Sequence, residues 1–268
     1  MIKYSGKVIL VIHGLMCDES VWLSEPTDKI QRLGTRTENE EKANVLYIRY
    51  NTGLHISENG RKFSNLIQKF VDTYPAVKEL VIFSHSMGGL VTRSAGYYAD
   101  IQKQEWTKLL KKVFLIGVPN EGSYLAKVAY MTQYFFRKID ISEKDSIAKF
   151  FDVRSNGIKD LSFGYLVDED WQNAKDGNEK NIETTKVYPL QNVDYYLIAG
   201  TVADENKRSH IFTFFGDGLV EKDSALSSLF TNNNLKSGKV EMKLFVGETH
   251  VSLLESEKVF EYVNEKLG

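Results

Sequence analysis

A serine hydroxyl attacks a carbonyl only when a base takes its proton and a carboxylate holds that base in place. The stretch Leu80-Val81-Ile82-Phe83-Ser84-His85-Ser86-Met87-Gly88-Gly89-Leu90-Val91 offers such a serine. An apolar run ends there in a small–x–Ser–x–Gly turn and passes at once into a helical pattern over Leu90–Ala99. That is the strand–turn–helix context of a nucleophile elbow, which lifts the serine Oγ above a sheet. Small residues two before and two after the serine let strand and helix pass closely. The first of them is Ser84, where the usual motif has Gly, and it is expected to fit at some steric cost. The plainer alternative makes Ser86 a helix N-cap and the glycines packing residues; the strand immediately before it favours the elbow.

Chain order sorts the five histidines. Behind a nucleophile elbow the acid comes next and the histidine last, which sets aside His13 and His55. His85 adjoins Ser86 on a tight turn and is expected to point elsewhere. His210 has no favourable placement. His250 follows the run Val240–Val246 on a loop before the last helical pattern, the position required of the base. For the acid, Asp217 stands between two glycines in Phe215-Gly216-Asp217-Gly218-Leu219-Val220, which allows a sharp loop. Asp204 and Asp223 are its rivals, Asp204 being nearest the run Tyr195–Ile198.

A developing oxyanion needs two backbone N–H groups. Met87, after the nucleophile at a helix start, supplies one. The loop Ile12-His13-Gly14-Leu15-Met16 should supply the other through Leu15, with His13 a structural hydrogen-bonding residue.

These residues require a frame to hold them. Val8–Ile12, Val45–Ile48, Leu80–Phe83, Val113–Ile116 and Tyr195–Ile198 are continuous apolar runs, suited to strands buried on both faces. Val240–Val246 alternates instead, with Glu241 and Lys243 against Val240, Met242, Leu244 and Val246, which predicts a position near a sheet edge with one face toward water. Phe63, Leu66, Ile67, Phe70 and Tyr74 keep helical spacing after Ser57 as N-cap, and Val259, Phe260, Val263 and Leu267 do so at the end. Strand and helix alternate, so the expected class is α/β with a mostly parallel sheet flanked by helices. Residues 120–190 break the rhythm: no clean strand, many aromatics, then polar sequence with a turn signal at Asp176-Gly177-Asn178. They read as a cap or lid insertion within a single domain spanning 1–268.

Composition narrows the classes further. Of 268 residues, 42% are hydrophobic, and 15 Phe, 14 Tyr and 3 Trp exclude a disordered chain. Lys+Arg 34 against Asp+Glu 36 leaves no basic field for nucleic acid. Cys17 is the lone cysteine, so neither a disulfide framework nor a cysteine zinc site is expected, and no metal or cofactor is called for. The run Val8–Ile12 is too short for a signal-peptide core, and no apolar run reaches the roughly 20 residues of a spanning helix. The expectation is a soluble, cytoplasmic chain; one trimmed of an export signal would look the same.

With His13-Gly14-Leu15, Ser84–Gly89, Asp217-Gly218-Leu219-Val220 and His250 in place, the chain resembles an α/β-hydrolase serine esterase. More narrowly it is similar to the lipase-like branch that includes GPI-inositol-deacylase-like proteins and bacterial triacylglycerol lipases. Arg49-Tyr50-Asn51-Thr52-Gly53 and Gly117-Val118-Pro119-Asn120-Glu121-Gly122-Ser123 fit this likeness, although Asn120 replaces the His of the common Pro-His-x-Gly pattern. The likeness spans most of the chain and is weakest over 120–190. It implies Ser86 as nucleophile, Asp217 as acid, His250 as base, and Leu15 and Met87 as oxyanion donors, acting on a small-molecule or lipid ester. The same triad serves thioesterases and some amidases, and a catalytically idle binding scaffold is the alternative of another class. Tyr124–Phe136 carries apolar residues on nearly every helical face, so Met131 and Phe135 are candidates to line an acyl pocket.

Overall fold

The computed structural model describes residues 4, 6–25, 27–40, 44–120, 155–174, 184–201 and 237–268. Six strands form one sheet in the order β2-β1-β3-β4-β5-β6, every neighbouring pair parallel. They are β1 (Gly6–Ile12), β2 (Asn44–Ile48), β3 (Val77–His85), β4 (Leu110–Ile116), β5 (Asp194–Thr201) and β6 (Val240–Val246). The helices are α1 (Leu33–Glu40), α2 (Ile56–Thr73), α3 (Met87–Gln102), the short α4 (Trp106–Leu109), α5 (Asn156–Phe163), α6 (Asp168–Ala174) and α7 (Glu257–Leu267).

Alternation along each strand divides the core into two layers. Val8, Leu10, Ile12, Leu80, Ile82, Val113 and Leu115 face α2 and α3, packing on Phe63, Ile67, Leu90 and Val91. Ile9, Val11, Val81, Phe83, Phe114 and Ile116 face the opposite way, onto Trp22, Leu33 and the α7 residues Val259, Phe260 and Val263. Both faces of β1, β3 and β4 are therefore covered, as their continuous apolar runs require.

Three expectations need correction. Val45–Ile48 reads as a strand buried on both faces, yet β2 is an edge strand of half-buried residues, paired with β1 alone among the described residues. At the other edge, β6 stands where expected, with Val240 against the core and Lys243 exposed, but the alternation is not kept along the rest of the strand. Glu241 is drawn against α7 by the Tyr262 hydroxyl at 2.9 Å and Lys266 Nζ at 3.0 Å, whereas Met242 and Val246 are exposed. Finally, Ser57 does not cap α2. The cap residue is His55, and Ser57 is buried one residue inside the helix, where its Oγ accepts from Trp171 Nε1 at 3.0 Å. The α2 terminus is capped from far along the chain: the Asp160 carboxylate on α5 takes the Ile56 N–H at 2.7 Å.

No strand occurs among the described residues between β4 and β5, in keeping with the broken rhythm of 120–190. The segments 121–154 and 175–183 lie outside the described residues, and with them Tyr124–Phe136 and the Asp176-Gly177-Asn178 turn. No helix of the described residues is long and apolar enough to cross a membrane.

Candidate active site

Ser86 sits between the end of β3 and the start of α3 with φ 54° and ψ −128°. A left-handed φ is costly for a residue with a Cβ and persists only where the surroundings impose it. Three contacts do so here. The Ser86 N–H is held by the Ile116 carbonyl at 3.0 Å, continuing the β3–β4 ladder past its last strand residue. Its own carbonyl accepts the Gly89 N–H at 3.0 Å. On the far side Gly88 lies so close to β1 that a methyl there would fall 2.5 Å from the His13 carbonyl oxygen. The smallness of the residue two after the serine is a requirement of that approach.

Ser84, two before the serine, is fully buried, and its cost is met by a partner. The Thr92 hydroxyl donates to the Gly88 carbonyl at 2.9 Å, so its oxygen is left to accept the Ser84 Oγ proton at 2.7 Å. A buried hydroxyl that finds such a bond escapes the penalty of an unsatisfied one.

The loop after β1 runs directly beside the elbow. A methyl on Gly14 would meet Ser86 Cβ at 2.9 Å. His13 behind it is fully buried, with both ring nitrogens and its carbonyl engaged in defining that loop. The Tyr50 N–H points at Nε2 at 3.4 Å, which makes Nε2 the acceptor; Nδ1 then carries the proton and donates to the Gly14 carbonyl at 2.9 Å. Tyr50 also donates its hydroxyl to the His13 carbonyl at 2.9 Å and stacks on the ring at 4.5 Å. Burial lowers the His13 pKa, which keeps this tautomer neutral. Because a trans peptide points its C=O and N–H in opposite directions, anchoring the Gly14 carbonyl fixes the direction of the Leu15 N–H. Met87 opens α3, and the first N–H groups of a helix have no partner within it. Leu15 and Met87 thus flank Ser86 from two independent elements.

His250 arrives from the other side, on the turn between β6 and the 3₁₀ turn Ser252–Leu254. Glu248 locks that turn, its carboxylate accepting Ser252 Oγ and Ser256 Oγ at 2.6 Å each. The His250 ring lies against the backbone of Gly117, where φ is 58° and a methyl would fall 2.8 Å from Nδ1. Burial drives its pKa well below that of a free imidazole, with His85 beside it acting in the same direction. A neutral imidazole is the form that can take a proton.

The His85 ring is directed to the turn that carries His250. Its ring centroid is 4.6 Å from that of His250, and its Nε2 is 3.0 Å from the His250 carbonyl oxygen. The elbow turns Ser86 to one side of the chain and sends its neighbour toward His250, a contact that sequence adjacency does not announce. Arg93 is a second residue that sequence reasoning passed over. Buried on α3, it donates to Asn120 Oδ1 at 3.2 Å and to the Val187 carbonyl at 3.1 Å, which gives the unusual Asn120 a role at the end of the segment after β4.

The remaining residues singled out by sequence, Asp217 with its rivals Asp204 and Asp223, His210, Met131 and Phe135, lie outside the described residues. Among the described residues there is no cluster of metal-ligating side chains.

A parallel sheet with helices on both faces, and a serine on a strained elbow at the carboxyl end of its central strand, defines the α/β-hydrolase fold. The chain belongs to the PGAP1-like alpha/beta domain family, whose pattern matches residues 3–193. No curated protein matches it. Among solved structures it is similar to the mature lipase BlEst2 of Bacillus licheniformis, at 16% identity and TM-score 0.53, over 99% of this chain and 92% of that one. It is similar also to SrfTE, the thioesterase domain that cyclises the lipopeptide surfactin, at 13% identity and TM-score 0.54, over 98% and 92% of the two chains. The RedJ thioesterase of Streptomyces coelicolor aligns at 8% identity and TM-score 0.54, over 97% and 86%. At such identities the likeness is one of fold.

Proposed function

We propose that this chain is a serine hydrolase that cleaves carboxylic esters through an acyl-enzyme. The observation that carries the reading is Ser86 held at φ 54° on the elbow, with Gly14 against its Cβ and His250 brought in through the neighbouring residue. Ser86 Oγ adds to the carbonyl carbon as His250 takes its proton, and Asp217 holds the imidazole by its other ring nitrogen. The carbonyl oxygen becomes an oxyanion facing the N–H groups of Leu15 and Met87. On collapse the C–O bond to the alcohol breaks, His250 returns the proton to the leaving oxygen, and Ser86 keeps the acyl group. Water repeats the sequence to release the acid.

The substrate class is an acyl ester, small-molecule or lipid. Residues 120–190 form a cap within one domain spanning 1–268, with Met131 and Phe135 lining the acyl pocket. The described part of that segment supports this through its ties to the core: Gly157 N–H to the Gly53 carbonyl at 3.4 Å, Asp160 on the α2 terminus, and Arg93 to Val187.

A fluorophosphonate probe together with p-nitrophenyl esters and a matched thioester tests the reading. Covalent labelling of Ser86 with turnover of the oxygen esters is expected. Faster thioester turnover would reassign the substrate, and a chain that neither labels nor turns over any ester is not a serine hydrolase.

A further inference from the structure

We propose that His85 is a positioning residue that fixes the base His250 relative to the nucleophile Ser86, an inference that rests on the roles given to those two residues above. The geometry begins with one hydrogen bond. The His250 carbonyl can only accept, so His85 Nε2, at 3.0 Å, carries the proton and donates. His85 is covalently the residue before Ser86. One side chain and one hydrogen bond thus connect two loops that stand 165 residues apart in the chain.

The ring is held from its other sides as well. It is 4% exposed, set edge-on to the fully buried Trp22 with centroids 6.3 Å apart, and tilted by 38° against the His250 ring. Its Nδ1 has no hydrogen-bond partner among the described residues and faces the loop after β1, since a methyl on Gly14 would lie 3.4 Å from it. His85 therefore touches both of the loops that must be held against Ser86, the one bearing the oxyanion donor Leu15 and the one bearing the base.

Charge completes the argument. Burial lowers the His85 pKa to about 4, and the titratable groups that face it are His250 and His13. It stays neutral near pH 7 while His250 takes the Ser86 proton. A cation there would repel the imidazolium that forms; the neutral ring fixes geometry without that cost.

Two variants separate positioning from packing. His85→Phe keeps a ring and loses the donor, whereas His85→Gln keeps an N–H of similar reach. With p-nitrophenyl acetate, His85→Phe is expected to lose kcat by on the order of 10²-fold, as for a small misplacement of reacting groups. KM should stay nearly unchanged, and the acid limb of the kcat/KM profile, which reports the free base, should shift. His85→Gln should restore most of kcat and the wild-type profile. Equal losses in the two variants, or a His85→Phe enzyme within about threefold of wild type, overturn the proposal. Should His85→Phe not fold, imidazole ¹⁵N spectra of the wild-type chain decide it. His85 must appear as the neutral Nε2–H tautomer from about pH 7 to about pH 5, and an Nδ1–H tautomer or a protonated ring overturns the assignment. A wild-type chain that neither labels with fluorophosphonate nor turns over esters removes the roles of Ser86 and His250 instead, an outcome separate from the tautomer result.

Discussion

Asp160 caps α2 from 104 residues away: its Oδ2 accepts the Ile56 N–H at 2.7 Å while its Oδ1 meets His55 Nδ1 at 2.9 Å. Trp171 stacks flat on His55 at 4.0 Å, so α5 and α6 are both tied to one helix terminus of the core. Burial pushes the Asp160 pKa up to about 6, outweighing the hydrogen bonds that favour its anion. A carboxyl raised above its unfolded value of 3.8 stabilises the fold below that value, and the contribution is lost as pH rises through about 6. Wild type measured against Asp160→Asn should therefore lose relative stability between about pH 4.5 and about pH 7, by on the order of 2 kcal/mol. Urea unfolding of both proteins at the two pH values checks the sign; a gap that widens with pH contradicts it.

The histidines act in the opposite direction. Burial lowers the pKa of His13 and His250, and that of His85 to about 4. Their unfolded counterparts titrate near 6.5, so the stability they contribute is present above that value and lost as pH falls toward the folded values. Three such groups outnumber Asp160. The melting temperature of wild type should drop between about pH 7 and about pH 5, each differentially bound proton changing stability by about 1.4 kcal/mol per pH unit. A melting temperature constant across this range would mean that these rings are not held neutral.

Gly14 gives a sharper test of the oxyanion loop. A methyl there would sit 2.9 Å from Ser86 Cβ and 3.4 Å from the His85 carbonyl oxygen, so the loop must retreat by a fraction of an ångström. That retreat would carry the Leu15 N–H away from the oxyanion it is proposed to hold. Gly14→Ala should lower kcat by on the order of 10²-fold, comparable to losing one oxyanion donor. Acetate-ester kinetics and a melting curve check it; full activity in the variant removes Leu15 from the hole.

The elbow, the place of His250 after the last strand and all six strand positions were legible because each is a local pattern: apolar runs, small residues around a serine, a histidine after the last strand. What escaped depends on partners distant in sequence. Asp160 caps α2 in place of the local candidate Ser57, and nothing near residue 56 announces it. His85 meets His250 only because the elbow turns the backbone to a left-handed φ at Ser86, so that sequence neighbours face different loops. The β6 faces follow charge pairing of Glu241 with Lys266, which hydrophobic alternation does not weigh.

Roles within the proposed triad separate by magnitude. Ser86→Ala removes the attacking oxygen and only a small group, so the fold should hold while ester turnover falls by on the order of 10⁶-fold. Asp217→Asn should cost on the order of 10⁴-fold by freeing the base to adopt the wrong tautomer. Asp204→Asn and Asp223→Asn should cost far less. If Asp204→Asn is the damaging change, the acid moves to that position; if Ser86→Ala keeps more than about a tenth of wild-type activity, the nucleophile is wrong.

The proposed acyl pocket puts the aromatic segment Tyr124–Phe136 to a test of acyl length. Each methylene buried against it contributes roughly 0.8 kcal/mol, so a pocket lined by Met131 and Phe135 must discriminate along an ester series. Met131→Ala and Phe135→Ala should change the preference between butyrate and octanoate esters and leave acetate hydrolysis nearly intact. The lost contacts would be shared by the ground and transition states, so KM should respond more than kcat. A helix that only packs behaves differently: truncation opens a cavity costing about 2–5 kcal/mol wherever the substrate ends. Activity would then fall uniformly along the series and the melting temperature with it. Values of kcat/KM for acetate, butyrate and octanoate esters on both variants, beside their melting curves, decide between the two. Uniform loss with a lowered melting temperature would withdraw Met131 and Phe135 from the acyl pocket.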